Sequence, residues 1–176
     1  MHFIDQTYSS VPMNLAFEEA MLSEADAAID APAASDVQQS SECLRLWDAQ
    51  SPFVVLGRGT KAADEANLPA CERDQIPVFR RITGGATILA APGCLFYCVL
   101  LSIRQRPFLQ SIDEAHSFVM ERVLQAIRSL RPDVALNGIC DLVIGERKAS
   151  GNALRVTRNH VLYHGTLLLN MDLDLV

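Results

Sequence analysis

Ile82 to Ile103 reads ITGGATILAAPGCLFYCVLLSI and contains no charged residue. A run of this length would suit a membrane span, but Gly84-Gly85 and Pro92-Gly93 interrupt it and leave only short continuously apolar pieces. Two buried strands, Thr87 to Ala90 and Leu95 to Ile103, joined by a loop at Pro92-Gly93, account for the pattern. The segment before them, Val78-Phe79-Arg80-Arg81, reads as a strand running into a Thr83-Gly84-Gly85 turn. Further upstream, Cys43 to Trp47 and Pro52 to Gly57 are short apolar segments bounded by turn residues, and Pro69 to Asp74 has a proline suited to a first helical turn.

Helical periodicity appears twice. Met13 to Glu24 spaces its apolar residues at three and four, with Glu18-Glu19 on an acidic face. Ala25 to Ser41 then loses the period, gains Pro32 and small residues, and is expected to be a surface loop. The second helix opens with the capping-box spacing Ser111-Ile112-Asp113-Glu114 and continues to about Arg128 through Ala115, Val119 and Val123. After Pro132 the chain returns to strands near Val134–Leu136, Asp141–Ile144, Ala149–Val156 and Val161–Leu169, with Gly145 at a hairpin turn. Helices and strands are mixed without regular βαβ alternation and without an internal repeat. An α+β fold with a mixed or antiparallel sheet and flanking helices follows.

The 176 residues suit one domain, 49% of them apolar and 20% charged, enough to build a core rather than a disordered chain. A net charge of -6 disfavours a general nucleic-acid binder, because the overall field repels phosphate. The N-terminal Met1 to Asp5 lacks the basic and apolar regions of a secretory signal. Five cysteines with no CxxC pair and no Cys/His cluster read as reduced thiols, so a cytoplasmic protein without a membrane partner is expected.

Three places could carry chemistry. Arg80-Arg81-Ile82-Thr83-Gly84-Gly85 combines guanidinium donors with glycines that let backbone amides approach an anion, although on its own it reads more economically as a strand, a turn and two exposed arginines. Gly145 to Ala153 presents Lys148 beside the small Ser150-Gly151 pair, a point cation with room for a ligand; alone, a solvated charged hairpin explains it. Tyr163-His164-Gly165-Thr166 opens an apolar strand and fits either a pocket rim or a hydrogen-bonded core histidine. Cys140-Asp141 precedes the lysine hairpin and has three readings. Cys140 could be an acyl-carrying nucleophile, Asp141 could hold Mg²⁺, or both could complete a strand. His116, Cys94 and Cys98 read as satisfied or core residues.

In their order and spacing these pieces resemble the biotin and lipoate protein ligase family, in its lipoate-protein ligase and octanoyl or lipoyl transferase branch. The likeness runs through Asn14 to Glu19, Leu46-Trp47, Val55 to Arg58, Arg80 to Gly85, Asp141 to Ile144, Arg147 to Ala153 and His164 to Leu168. It implies the catalytic fold shared with class II aminoacyl-tRNA synthetases and biotin ligases. It also implies acyl transfer to one lysine of a lipoyl carrier domain, from 2-oxoacid dehydrogenase complexes or the glycine cleavage H protein. In the ligase version, lipoate or octanoate attacks the α-phosphate of ATP in the presence of Mg²⁺, and the carrier lysine then displaces AMP from the acyl-adenylate. Lys148 matches the family's catalytic lysine. Arg80, Arg81, Thr83, Gly84, Gly85, Ser150, Gly151, His164, Gly165 and Thr166 match its acyl-adenylate site, with Asp141 as a candidate metal ligand.

The chain departs from the family at Ala86, Ala90 and Ala91, where many ligases place a glycine, a histidine and an aspartate, a departure that bears on ATP and Mg²⁺ handling. Cys140 stands where ligases usually carry asparagine. Residues 1–176 are expected to form one catalytic domain that stops before the family's later strands and helices. The resemblance leaves two alternatives beside the ligase. One is an ATP-independent transferase using an acyl thioester, delivered by a partner such as acyl carrier protein and passed through Cys140. The other is an acyl-binding module without activity.

Overall fold

A computed structural model describes residues 1–30 and 42–175. Its centre is a five-stranded sheet in the order β1 (His2–Asp5), β2 (Cys43–Asp48), β6 (Cys94–Ser102), β11 (His160–Leu168) and β10 (Ser150–Val156). The β1–β2 pair is parallel and the other three pairs are antiparallel. Two three-stranded sheets complete the strands. One runs β4 (Val78–Arg80), β3 (Phe53–Leu56), β5 (Ile88–Ala90), and the other β7 (Val134–Asn137), β8 (Asp141–Ile144), β9 (Arg147–Lys148). The α+β expectation and the mixed sheet are therefore observed.

The period-two alternation of the central strands sorts their side chains onto two faces. On β11, Leu162 packs with Leu22 and Ala25 of helix α1 (Val11–Asp30), and His160 and His164 bond to Asp26 and Glu18 of the same helix. Val161 and Tyr163, one residue out of phase, face the opposite core with Val119 and Met120 of helix α4 (Ile112–Arg128). Ser111 caps α4 as its spacing predicts, its Oγ accepting from the Glu114 amide at 3.4 Å. Between the central sheet and the β3 sheet, Trp47 stacks on Phe96 with centroids 3.9 Å apart, against Phe53. Within this cluster lie Ala90 and Ala91, both fully buried.

Two expectations change. Helix α1 runs six residues beyond Glu24, to Asp30, where a loop is expected. Tertiary contacts override the weak local period: Ala25 is buried in the α1 core, and Asp26 accepts from Thr157 at 3.1 Å and contacts His160 Nδ1 at 2.7 Å. The rest of that expected loop, residues 31–41, lies outside the described residues. Glu18 is also not on an exposed acidic face, since it is 2% accessible and points at the central sheet. The remaining elements fall within a residue or two of their expected bounds. β1, the two-residue β9 and the single-turn helix α2 (Ala62–Glu65) are additions too short to show a period. Helix α3 (Leu68–Arg73) carries Pro69 in its first turn as expected. Among the described residues no helix is long and apolar enough to cross a membrane.

Candidate active site

A cavity of about 320 Å³ opens between α1, the β3 sheet, the central sheet and the β8–β10 segment. Its walls are apolar where Leu15, Val55, Ile88 and Phe96 meet. Its buried end is polar, held by a hydrogen-bonded chain that starts at Arg81. The guanidinium of Arg81 donates from Nε to Thr83 Oγ1 at 3.0 Å, and Thr83 Oγ1 lies 2.7 Å from His164 Nε2. On the other side of the ring, His164 Nδ1 lies 2.6 Å from Glu18 Oε2. Thr83 Oγ1 is thus shared between the Arg81 guanidinium and the His164 ring, and the ring bridges it to the Glu18 carboxylate.

The far oxygen of Glu18 accepts from Trp47 Nε1 at 2.8 Å and lies 3.8 Å from Arg45. Arg45 is fully buried, donates to Asn14 Oδ1 at 2.5 Å and to the Asn14 and Gln6 carbonyls, and sits over the Phe17 ring at 4.8 Å. Burial pulls its pKa below the usual value, against the opposing pull of Glu18. This end of the cavity is thus an almost fully hydrogen-bonded polar floor, in which Glu18 faces Arg45 and Arg81 is held by backbone carbonyls and Thr83.

The open end is built differently. Lys148 and Asp141 meet as a single ion pair, Nζ to Oδ2 at 2.8 Å, with the lysine side chain 58% accessible. Lys148 stands on β9 opposite Val143, after a hairpin turned at Gly145, whose φ of 60° is one that glycine adopts without strain. Cys140 and Asn152 line the same end. The Cys140 thiol bonds to the Asn152 carbonyl at 3.9 Å; burial and then Asp141 push its pKa up, with Lys148 opposing. A raised, half-buried thiol is the reverse of an activated nucleophile.

The sequence candidates separate on this frame. Lys148, Asp141, Cys140, Gly151, His164, Gly165, Thr166 and Arg81 line the cavity. Arg80 does not: its guanidinium donates to the carbonyls of Gly57 (2.5 Å), Thr60 (2.9 Å) and Arg58 (3.3 Å) and ties that turn to β4. Arg81 is buried rather than exposed, and it also donates to the carbonyls of Gly84 at 2.6 Å and Ala86 at 2.8 Å. The turn at Gly84-Gly85 is exposed, and the amides of Gly84, Gly85 and Ala86 make no hydrogen bond among the described residues. Free amides at a turn whose carbonyls are held by Arg81 are the donor arrangement an anion needs. Gly57 lets this turn close, since a Cβ there would lie 2.0 Å from the Gly85 carbonyl oxygen. On its far side the Thr87 amide donates to Glu65 Oε2 at 3.0 Å, which holds that carboxyl below its usual range. Thr83 and Ser150 sit behind the lining and brace it. Ser150 Oγ accepts from the Leu142 amide at 2.9 Å.

Sequence reasoning missed Glu18, Asn14, Arg45 and Asn152 as site residues. Asn14 and Glu18 are four apart on the stripe that carries Leu15, Leu22 and Ala25, and Arg45 alternates inward with Cys43 and Trp47. A cation on an inward strand position requires a buried carboxylate nearby, and that was the available signal. Ala90 and Ala91 do not line the cavity, so the missing histidine and aspartate are filled by aromatic core rather than by a hole at the site. For a metal, Asp141 offers one carboxylate already engaged by Lys148, and among the described residues no three His, Cys, Asp or Glu side chains converge. Such a site fits an ion that arrives on nucleotide phosphates, not one caged by the protein.

Residues 10–176 match the family model described as the lipoyl protein ligase A/B catalytic domain. The chain is 30% identical over 177 residues to lipoate–protein ligase 1 of Staphylococcus aureus, covering 99% of this chain and 48% of that protein. It is 28% identical over 177 residues to the lipoate-protein ligase LplJ of Bacillus subtilis, covering 99% and 47%. The chain therefore spans about half the length of these curated relatives. Two solved structures share its fold. One is a lipoate-protein ligase A bound with ATP, with a TM-score of 0.78 at 23% identity over 99% of this chain and 70% of that one. The other is the bi-partite lipoate protein ligase of Thermoplasma acidophilum, studied with its E2 lipoyl domain, with a TM-score of 0.77 at 23% identity over 99% and 63%.

Proposed function

The chain belongs to the lipoyl protein ligase A/B catalytic-domain family, and from that premise we propose that residues 1–176 form a catalytic domain that activates lipoate with ATP. The observation that carries the reading is the polarity of the cavity along its length, with a cation at the open end, an apolar middle and a bonded polar floor. A molecule with a carboxylate head and an aliphatic tail is complementary to that sequence of surfaces. Its tail lies between Leu15, Ile88 and Phe96 toward Glu18 and His164, and its carboxylate reaches Lys148.

In the first step the carboxylate oxygen attacks the α-phosphorus of ATP and pyrophosphate leaves, giving lipoyl-adenylate. Lys148 neutralises charge gathering on the carboxylate and the α-phosphate, and the free amides at Gly84 and Gly85 receive phosphate oxygens. A magnesium ion carried on the nucleotide phosphates would neutralise part of their charge, and Asp141 would offer it one carboxylate oxygen at the mouth. In the second step the amine of a carrier lysine attacks the acyl carbon and AMP leaves, forming the amide. The acceptor is a lipoyl domain of the 2-oxoacid dehydrogenase or glycine cleavage H type. The support for that class of partner is the fold shared with the bi-partite ligase studied with its E2 lipoyl domain. Octanoate, the same eight-carbon chain without the two ring sulfurs, is the alternative acyl substrate of the same cavity.

The test is intact-mass analysis of an unmodified lipoyl domain incubated with the protein, lipoate and Mg²⁺, with and without ATP. A lipoyl adduct that requires ATP is expected. No adduct from lipoate with ATP, together with an adduct in a further tube that holds an acyl thioester and no nucleotide, would overturn the adenylate route.

A further inference from the structure

We propose that Asn152 is the residue that positions Lys148, acting at one remove through Cys140 and Asp141. The inference rests on the reading of Lys148 as the charge-neutralising side chain. Lys148 stands on an exposed two-residue strand, and among the described residues its amine is located by one ion pair, to Asp141 Oδ2. Whatever fixes Asp141 therefore fixes the amine. Asp141 is the first residue of β8, and the peptide groups on its two sides are tied to Asn152, one directly and the other through Ser150. The Asn152 amide donates to the Cys140 carbonyl before Asp141, and also to Ser150 Oγ at 2.9 Å. That same Ser150 Oγ accepts the Leu142 amide after Asp141.

Asn152 is itself immobilised. Its Oδ1 accepts from the Tyr97 hydroxyl, which comes from the buried core under α4. Both amide protons and one lone pair of the carboxamide oxygen are thus engaged, which sets the orientation of the side chain. Gly165 makes the space: a Cβ there would lie 1.8 Å from Asn152 Oδ1 and 2.8 Å from the Tyr97 ring edge and hydroxyl. The rigid core and the exposed amine are linked in the order Tyr97, Asn152, the peptides flanking Asp141, Asp141 and Lys148. An ion pair as exposed as this one adds little stability, so its value is in orientation.

The composition makes the test direct, because the chain has only two lysines and the other, Lys61, is an exposed internal reference. The folded protein and its variants are treated briefly with an amine-reactive acetyl ester, and the ratio of Lys148 to Lys61 acetylation is read by peptide mass spectrometry. Asn152→Asp keeps the shape and the Tyr97 acceptor but loses both donors; Gly165→Ala displaces the carboxamide from another direction. Both, with Asn152→Ala, are expected to raise Lys148 labelling to the rate of Asp141→Asn, with no further rise when Asn152→Asp and Asp141→Asn are combined. In ATP-dependent lipoylation the Asn152 variants are expected to lose about tenfold to a hundredfold in kcat, with KM for lipoate little changed. Unchanged labelling in all three variants would overturn the proposal, as would effects of Asn152 and Asp141 that multiply or a loss confined to KM. A wild-type protein that lipoylates nothing refutes the ligase reading instead, while the labelling ratio still decides the role of Asn152.

Discussion

The two ends of the cavity use charge in opposite ways. At the floor, Glu18, Arg45, His164, Thr83 and Arg81 lie almost out of water, and nearly every polar atom has a partner. At the mouth, Asp141 and Lys148 share one bond in contact with solvent. A buried charge is expensive and is kept only when it is paired or hydrogen-bonded, so the floor is fixed before any ligand arrives. A cation that must follow charge from carboxylate to phosphate to leaving group is useful only if it stays available, and the hydrated mouth keeps it so. One region recognises; the other reacts.

The largest effect should come from breaking the floor. Glu18→Ala leaves Arg45 buried without its carboxylate and removes the partners of His164 and Trp47. It is expected to cost about 3–5 kcal/mol in urea unfolding, and a loss below about 1 kcal/mol would mean that the floor is not electrostatically closed. Lys148→Ala inverts that pattern. Unfolding should change by no more than about 0.5 kcal/mol, as for other exposed residues. Turnover should fall by about a hundredfold or more, the scale of losing one preorganised charge-stabilising group. Equal damage to both quantities would erase the distinction between the ends.

Thr83→Val is an intermediate case. It deletes one hydroxyl shared by Arg81 and His164, leaves two buried groups unpaired, and should cost about 1–3 kcal/mol in stability. Because the change is at the recognition end, KM for lipoate should rise while kcat holds; the reverse split would place Thr83 in the chemistry. The smallest effect is expected for Cys140→Ala, with turnover near wild type. Alkylation of Cys140 by iodoacetamide should be slow at neutral pH. It should accelerate only at a higher pH than for a free cysteine, because burial and Asp141 raise the thiol. Rapid neutral-pH alkylation, or loss of turnover in Cys140→Ala, would return the cysteine to the mechanism.

These regions were not equally legible in the sequence. Strands, the Ser111-capped helix and the hairpin at Gly145 are written in local signals, namely alternation, a capping box and a glycine with positive φ. The mouth is legible for the same reason, apart from Asn152, since Cys140-Asp141 and Lys148 to Gly151 are close in sequence as well as in space. The floor is not. It joins residues from α1, β2, the turn after β4 and β11, with Glu18 and His164 separated by 146 positions. The resemblance runs through the segment carrying Glu18, but periodicity alone puts that residue on an acidic face. Only the sheet order reveals why an inward Arg45 needs it. Likewise, Ala90 and Ala91 read as missing ligands until their burial among Trp47, Phe53 and Phe96 makes them core.

The most direct test of the account is lipoate-dependent exchange of labelled pyrophosphate into ATP, measured for the wild-type protein and for Lys148→Ala at matched thermal stability. This isolates adenylate formation from the carrier step. The account predicts exchange in the wild type that requires lipoate and is lost in Lys148→Ala while its melting curve is unchanged. Equal exchange in both proteins, or no exchange by a wild type that still acylates a lipoyl domain, would contradict it.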